Sequence, residues 1–334
     1  MSLHPPIGPN KFHSPNPQIS KALKPLKPLS RVQQRSVETS TSLTLETPEQ
    51  IAYQHSVLCQ TSLPYRDPGS DTRVWDKEQG IVSLRIRAGE DKNPETGEWI
   101  QLGLPFGTKP RLILAHLNAE ALRTESPKIN VEDSFTAFVQ RIQSYRPNGK
   151  EIRAFKDHLG RLSAATIRMA ISTDGHSLRV NSQIVTAFDL WFPKDKSQRV
   201  LWPSTLHLSH EYFTSLQKHA VPLDERALAG LSHSAMALDL YTWLAQRLHR
   251  IPHRQPQFLT WASLKEQFGA RIGRMSHFKN HFRVALSQVL AFYPAAKVEG
   301  NGKGLTLYNS FPPVKKRMVL VDNSRGAPVD NSRN

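Results

Sequence analysis

Ser276, Asn280, Arg283 and Ser287 follow one another at intervals of four, three and four residues, which aligns four hydrogen-bonding side chains along one line of a helix. An Asn carboxamide can make paired hydrogen bonds to adenine N6 and N7. An Arg guanidinium does the same to guanine O6 and N7, so the row suits base edges in a major groove. Asn280 and Arg283 are therefore candidate base readers, with Ser276 and Ser287 as flanking donors and acceptors. The cations Arg274, Lys279, Lys297 and Lys303 suit phosphate, which positions a protein without reading sequence. Asn301 joins them from the turn Gly300-Asn-Gly-Lys-Gly304. A second basic set, Lys150, Arg153, Arg161 and Arg168, lies on a stretch predicted as a helix from Lys150 to Ala170.

These residues need elements to hold them. With about 100° of rotation per residue, Met275, Phe282, Leu286 and Val289 fall on the side of Phe278, opposite the polar row. Pro294 stops that helix. Lys297-Val-Glu and Leu305-Thr-Leu-Tyr then read as two short strands around the glycine-rich tip. A helix presenting Asn and Arg, followed by a hairpin with lysine at its tip, fits a winged helix-turn-helix: helix in the major groove, wing on phosphate. An amphipathic helix merely packed on a hairpin would share this pattern.

Upstream, Thr47-Pro-Glu-Gln-Ile-Ala-Tyr is predicted to start a helix, with Thr as cap and Pro at its first position. Val82 to Arg87 alternates as a half-buried strand, and Asp91-Lys-Asn-Pro-Glu-Thr-Gly turns the chain toward Trp99-Ile-Gln. Gly107 to Arg123 is apolar nearly all round and predicts a buried helix. A short strand at Lys128, a short helix from Asp133, the basic helix and a hairpin around Asp174-Gly175 follow. A strand from Val200 to Leu208 and a short helix from Ser209 to His219 come next. A second nearly all-apolar helix is predicted from Ser232 to Arg250. The order repeats: buried helix, strand, short helix, basic helix, hairpin. Phe155-Lys-Asp-His-Leu also matches Phe278-Lys-Asn-His-Phe in register. The expected fold is α+β, with two tandem winged-helix domains over 47–208 and 209–312 and a small strand hairpin in the first. Pro- and Lys-rich tails over 1–46 and 313–334 are expected to be disordered. In the first module Asp157 stands where Asn280 stands in the second. A carboxylate repels phosphate or accepts from cytosine N4, so the base reading of that module stays open, with dimerisation as its other expected role.

The 44 Lys and Arg against 28 Asp and Glu leave a net charge of +16, which points to a polyanionic partner. Hydrophobic residues at 38% permit a real core. One cysteine, Cys59, rules out an internal disulfide framework and suits a reducing cytoplasm. No apolar run approaches the ~18–20 residues of a membrane span, so no membrane association is expected.

The run Leu104-Pro-Phe-Gly-Thr-Lys-Pro-Arg-Leu-Ile-Leu-Ala-His-Leu-Asn-Ala-Glu-Ala-Leu-Arg-Thr resembles the plasmid-encoded RepA-type replication initiators. Further pieces in the same order agree: Leu63-Pro-Tyr-Arg-Asp-Pro, Trp75 and Gly80, and Leu201-Trp-Pro-Ser-Thr-Leu-His-Leu-Ser. Later come Val221-Pro-Leu-Asp-Glu-Arg-Ala-Leu, Ala237-Leu-Asp-Leu-Tyr-Thr-Trp-Leu and Gln267-Phe-Gly. The resemblance covers about Thr47 to Ser310. It implies tandem winged helices and an iteron-type initiator in the bacterial cytoplasm, acting on repeated sites in double-stranded origin DNA. It also implies a role in plasmid copy number, host helicase and initiator proteins as partners, and a homodimer as one form. A winged-helix transcriptional regulator is the alternative, since it needs the same groove chemistry.

Enzymatic chemistry finds little footing. Asn148-Gly-Lys-Glu and Gly302-Lys-Gly-Leu lack the spacing and hydroxyl of a phosphate-binding loop, so no intrinsic nucleotide hydrolysis is expected. The His-hydrophobic-His pair of metal-dependent nicking initiators is missing from the sequence. His277 and His281 lie one helical turn apart but have no third ligand nearby in sequence, so neither metal nor cofactor is expected.

Overall fold

The first strand, β1 (Ile51–His55), occupies the place where the local pattern predicted a helix. Its partner explains the difference: β11 (Ala220–Asp224) pairs with it antiparallel, from Ile51 opposite Asp224 to His55 opposite Ala220. A partner strand supplied by tertiary structure outweighs a weak local helix signal. Pro222 is tolerated because each strand of this two-stranded sheet is an edge. Helix begins only at Ser56, as α1 (Ser56–Gln60), where the Nδ1 of His55 accepts from the amide of Val57. The computed structural model describes residues 48, 50–92, 96–130, 137, 139–140, 148–173, 176–189 and 205–314. The expected tails, the turn at Asp174-Gly175 and most of the short helix expected from Asp133 lie outside the described residues.

β3 (Val82–Arg87) is the expected strand, but its hairpin partner is β2 (Val74–Gln79) and not Trp99-Ile-Gln, which as β5 (Trp99–Gln101) pairs with β4 (Glu90–Lys92) in a separate ribbon. The buried helix is α2 (Thr108–Arg123), with Leu112, Ile113, Leu114 and Leu117 all within the core. Gly107 caps it at φ 74°, a backbone that an L side chain resists, which accounts for the glycine of the Leu-Pro-Phe-Gly turn. β6 (Lys128–Asn130) follows, and then α3 (Gly149–Ala164), opened by a capping box between Asn148 and Glu151.

The basic helix expected to reach Ala170 ends at Ala164. Thr166-Ile-Arg-Met-Ala alternates with period two, burying Ile167 and Met169, and becomes β7 (Thr166–Thr173). β8 (His176–Gln183) and β9 (Val185–Asp189) continue the chain, then β10 (Thr205–Leu208). The first half thus holds a four-stranded antiparallel sheet, β2-β3-β7-β8, and a three-stranded one, β6-β10-β9.

In the second half, α4 (His210–His219) leads through β11 to α5 (Glu225–Leu231) and α6 (Ala235–Arg247). Then come β12 (Gln257–Thr260), α7 (Trp261–Gly269), α8 (Met275–Phe292), β13 (Val298–Gly300) and β14 (Gly304–Leu307). The last three strands form an antiparallel sheet in the order β12-β14-β13. Helices beside antiparallel sheets make the fold α+β. One hydrophobic cluster runs through both halves, from Ala52 to Leu307.

Candidate nucleic-acid interface

α8 buries Phe278, Phe282, Ala285, Leu286 and Val289, which leaves Ser276, Asn280, Arg283 and Ser287 together on exposed surface. Gly269 ends α7 where a Cβ would collide with the Phe278 ring, so the two helices meet closely there. Arg274 caps α8 through its backbone alone, and its side chain is exposed beside the helix N-terminus.

A residue that motif reading passed over ties the region together. Trp261, 4% exposed at the start of α7, meets Phe278 and Phe282 edge-on at centroid distances of 6.4 and 5.6 Å. Over its ring stand the Lys279 ammonium at 5.5 Å and the Arg283 guanidinium at 5.3 Å. Its indole N–H donates to the carbonyl of Asn301 at 3.0 Å, and its amide donates to that of Lys303 at 3.2 Å. One tryptophan therefore links the helix cations to the tip of the β13–β14 hairpin. The local signal was Thr260-Trp261, where Thr260 accepts from the Ser263 amide as helix cap.

The other predicted residues divide by environment. Lys279 donates to the Gly302 carbonyl at 3.4 Å, bringing helix and hairpin tip together. Asn301 shapes that tip: its Oδ1 accepts from the amides of Lys303 and Gly304 at 2.8 and 3.0 Å. Lys303 is exposed at the tip, whereas Lys297 is exposed at the other end of the hairpin, where its carbonyl accepts from the Tyr308 amide. Ser287 donates its hydroxyl to the Val284 carbonyl, one turn back.

The first half does not gather its four cations. Lys150 and Arg153 share the exposed N-terminal turn of α3. Arg161 instead pairs with Asp157 at 2.9 Å, donates to the Leu104 carbonyl at 3.4 Å and lies 5.2 Å over the Phe106 ring. It braces the Leu-Pro-Phe-Gly turn. Arg168 belongs to β7, directly opposite Arg85 of β3, and not to a helix as predicted.

The motif residues carrying the family resemblance turn out to be buried connectors. Arg111 makes two hydrogen bonds to Asp239, at 2.6 and 2.8 Å, and donates to the carbonyls of Leu63, Pro64 and Gly107. Burial pushes the Asp239 carboxyl up and the guanidinium opposes that push. Asn118 donates to the Tyr53 carbonyl and accepts from the Tyr212 hydroxyl at 2.9 Å, joining α2 to β1 and α4.

Next to α8, a groove of about 670 Å³ runs between the halves, lined by Tyr65, Trp75, Arg271, Ile272, His281 and Val284 among others. Among the described residues no group of three or more His, Cys, Asp or Glu is arranged to hold a metal ion. No helix described is long and apolar enough to cross a membrane.

Two solved structures resemble the chain, each at 10% identity: a crystal structure of RctB domains 2–3, with a TM-score of 0.45, and a selenomethionine form of RctB domains 2 and 3, at 0.47. The first covers 75% of this chain and 94% of its own, the second 82% and 99%. No curated protein sequence matches the chain. Residues 104–263 match the family described as plasmid-encoded RepA protein. That span opens on Leu104 of the Leu-Pro-Phe-Gly turn and contains both Arg111 and Asp239, and across it this chain is similar to the plasmid-encoded RepA family.

Proposed function

We propose that this protein is a plasmid replication initiator that binds repeated double-stranded sites in its origin through a C-terminal winged helix. That unit is α6, β12, α7, α8 and the β13–β14 wing. The observation that carries the reading is the exposed row Ser276, Asn280, Arg283 and Ser287, with Trp261 fastening the wing tip to the same helix. In this reading Asn280 and Arg283 read base edges, while Arg274, Lys279, Lys297 and Lys303 meet phosphate.

The order of elements from α2 through β7–β8 supports a second winged helix in the first half. Its hairpin lies within the four-stranded sheet, and Asp157 and Arg161 are paired with each other. Lys150 and Arg153 then serve as phosphate contacts, and the module contributes to dimerisation more than to base reading. Recruitment of host helicase and initiator proteins, a cytoplasmic site of action and the absence of intrinsic catalysis complete the proposal.

Footprinting on DNA flanking the gene, together with titrations of Arg283→Ala and Lys303→Ala over a salt series, tests it. Arg283→Ala should cost about 1–3 kcal/mol on the specific site and much less on scrambled DNA. Lys303→Ala should weaken both duplexes equally and lower the salt slope by about 1. Parallel losses on both duplexes from both variants would remove the recognition-helix assignment. A protected site outside any repeat array, with plasmid replication intact after loss of the gene, would favour the regulator instead.

A further inference from the structure

The β4–β5 ribbon departs from the charge of the rest of the chain. Glu90, Asp91 and Glu98 are exposed on it, opposed among its described residues by Lys92. Such a surface repels phosphate, so it is not built to face DNA. Its apolar groups are nevertheless held in water: Trp99 is 69% exposed and Ile100 44%. The base of the ribbon is fixed, since the Arg73 guanidinium donates to the carbonyls of Leu102, Ala88 and Gly89 at 2.6, 3.2 and 3.0 Å. An exposed tryptophan on an anchored acidic ribbon has the makings of a protein-docking element.

The groove beside α8 has the opposite character. Trp75, Ile272 and Val284 give it apolar walls, Arg66, Lys77 and Arg271 give it positive charge, and among the described residues no Asp or Glu lines it. Arg271 and Lys77 stand 4.7 and 5.6 Å from the Trp75 ring centre, which keeps two cations at one wall. No described ribbon residue lines the groove within the same chain.

We infer that the β4–β5 ribbon of one copy docks into this groove on a second copy, placing Trp99 and Ile100 between the apolar walls and its carboxylates beside Arg66, Lys77 and Arg271. The contact joins two different surfaces. It is therefore head-to-tail, and an open chain of copies keeps one free ribbon at one end and one free groove at the other. This order suits sites repeated in the same direction. It goes beyond the proposed function and does not require DNA.

The test is sedimentation equilibrium of the full chain at low and high salt, without DNA. The wild type should self-associate with increasing concentration, and salt should weaken the association. Trp99→Ala, at an exposed position, and Val284→Glu, on the groove wall, should each lower self-association about tenfold or more. An equimolar mixture of the two variants should restore dimers and stop there, because one intact ribbon and one intact groove remain. Asp91→Lys is a second ribbon variant that leaves the tryptophan in place and should behave like Trp99→Ala. A wild type that stays monomeric, variants that associate like the wild type, or a mixture that fails to restore dimers would each overturn the inference. A two-fold dimer insensitive to both variants would overturn it as well.

Discussion

His55 shows how much one buried side chain can hold. Its Nδ1 accepts from the Val57 amide at 3.2 Å, so its Nε2 carries the proton and donates to Ser215 at 2.9 Å. Burial, aided by the nearby His219, lowers its pKa from 6.5 to about 3. The folded protein therefore keeps it neutral, while the unfolded chain protonates it below about pH 6.5. The sign follows: its contribution is complete above pH 6.5 and is lost as pH falls toward 3. Urea unfolding at pH 5 should show stability lower by about 2 kcal/mol than at pH 7.5 from this residue alone. His55→Gln should flatten that slope, and an unchanged slope would mean another group is responsible. Trp261 acts at the same scale by a different force. Trp261→Phe keeps the aromatic packing but removes the N–H bonded to Asn301, at a cost of about 1 kcal/mol measurable by denaturation. With the hairpin tip released, DNA affinity should fall about equally for specific and scrambled duplexes.

Among the elements, the contrast between α3 and α8 shows what sequence pattern carries and what it does not. Both helices were legible from apolar spacing, and α8 was read correctly down to the polar row, because Phe278, Phe282 and Val289 repeat without interruption. The end of α3 was not legible: Arg168 continues a helical row of cations, and only the alternation of Ile167 and Met169 against β3 decides for a strand. β1 was misread for the same reason, since its partner β11 lies far along the chain. Trp261 escaped notice because its role depends on a hairpin some forty residues later, joined through a backbone carbonyl that has no residue signature. The α7–α8 corner gives a sharp prediction. Gly269→Ala puts a methyl group into the Phe278 ring, and the resulting shift should cost about 1–3 kcal/mol in a denaturation curve while disturbing the polar row. Loss of stability without loss of DNA affinity would show that the corner does not position α8.

The molecule as a whole is joined by groups that in isolation look like surface chemistry. Arg111 resembles one more cation in a basic chain, yet it is buried against Asp239 and holds α2 to α6. Composition could announce the net charge, but not which arginine is structural, because that depends on a partner 128 residues away. Asp239→Ala leaves a guanidinium buried without its counter-charge and should cost about 3–5 kcal/mol. The double change Arg111→Met with Asp239→Leu removes both charges and should cost less than the single change. Chemical denaturation of the three proteins measures this, and a double variant worse than Asp239→Ala would show that the pair itself stabilises the junction.

The same junction sets a timetable for synthesis. When Arg111 leaves the ribosome, the residue that will neutralise it does not yet exist, and at ~5–20 residues per second it arrives on the order of ten seconds later. β1 waits in the same way for Ala220–Asp224. Until then the first half must keep a charged arginine in water and a strand edge unpaired, so its closure is postponed to the translation of the second half. A nascent chain stopped before β11 should therefore be open to protease at residues 50–66, and one stopped after β14 should be protected there.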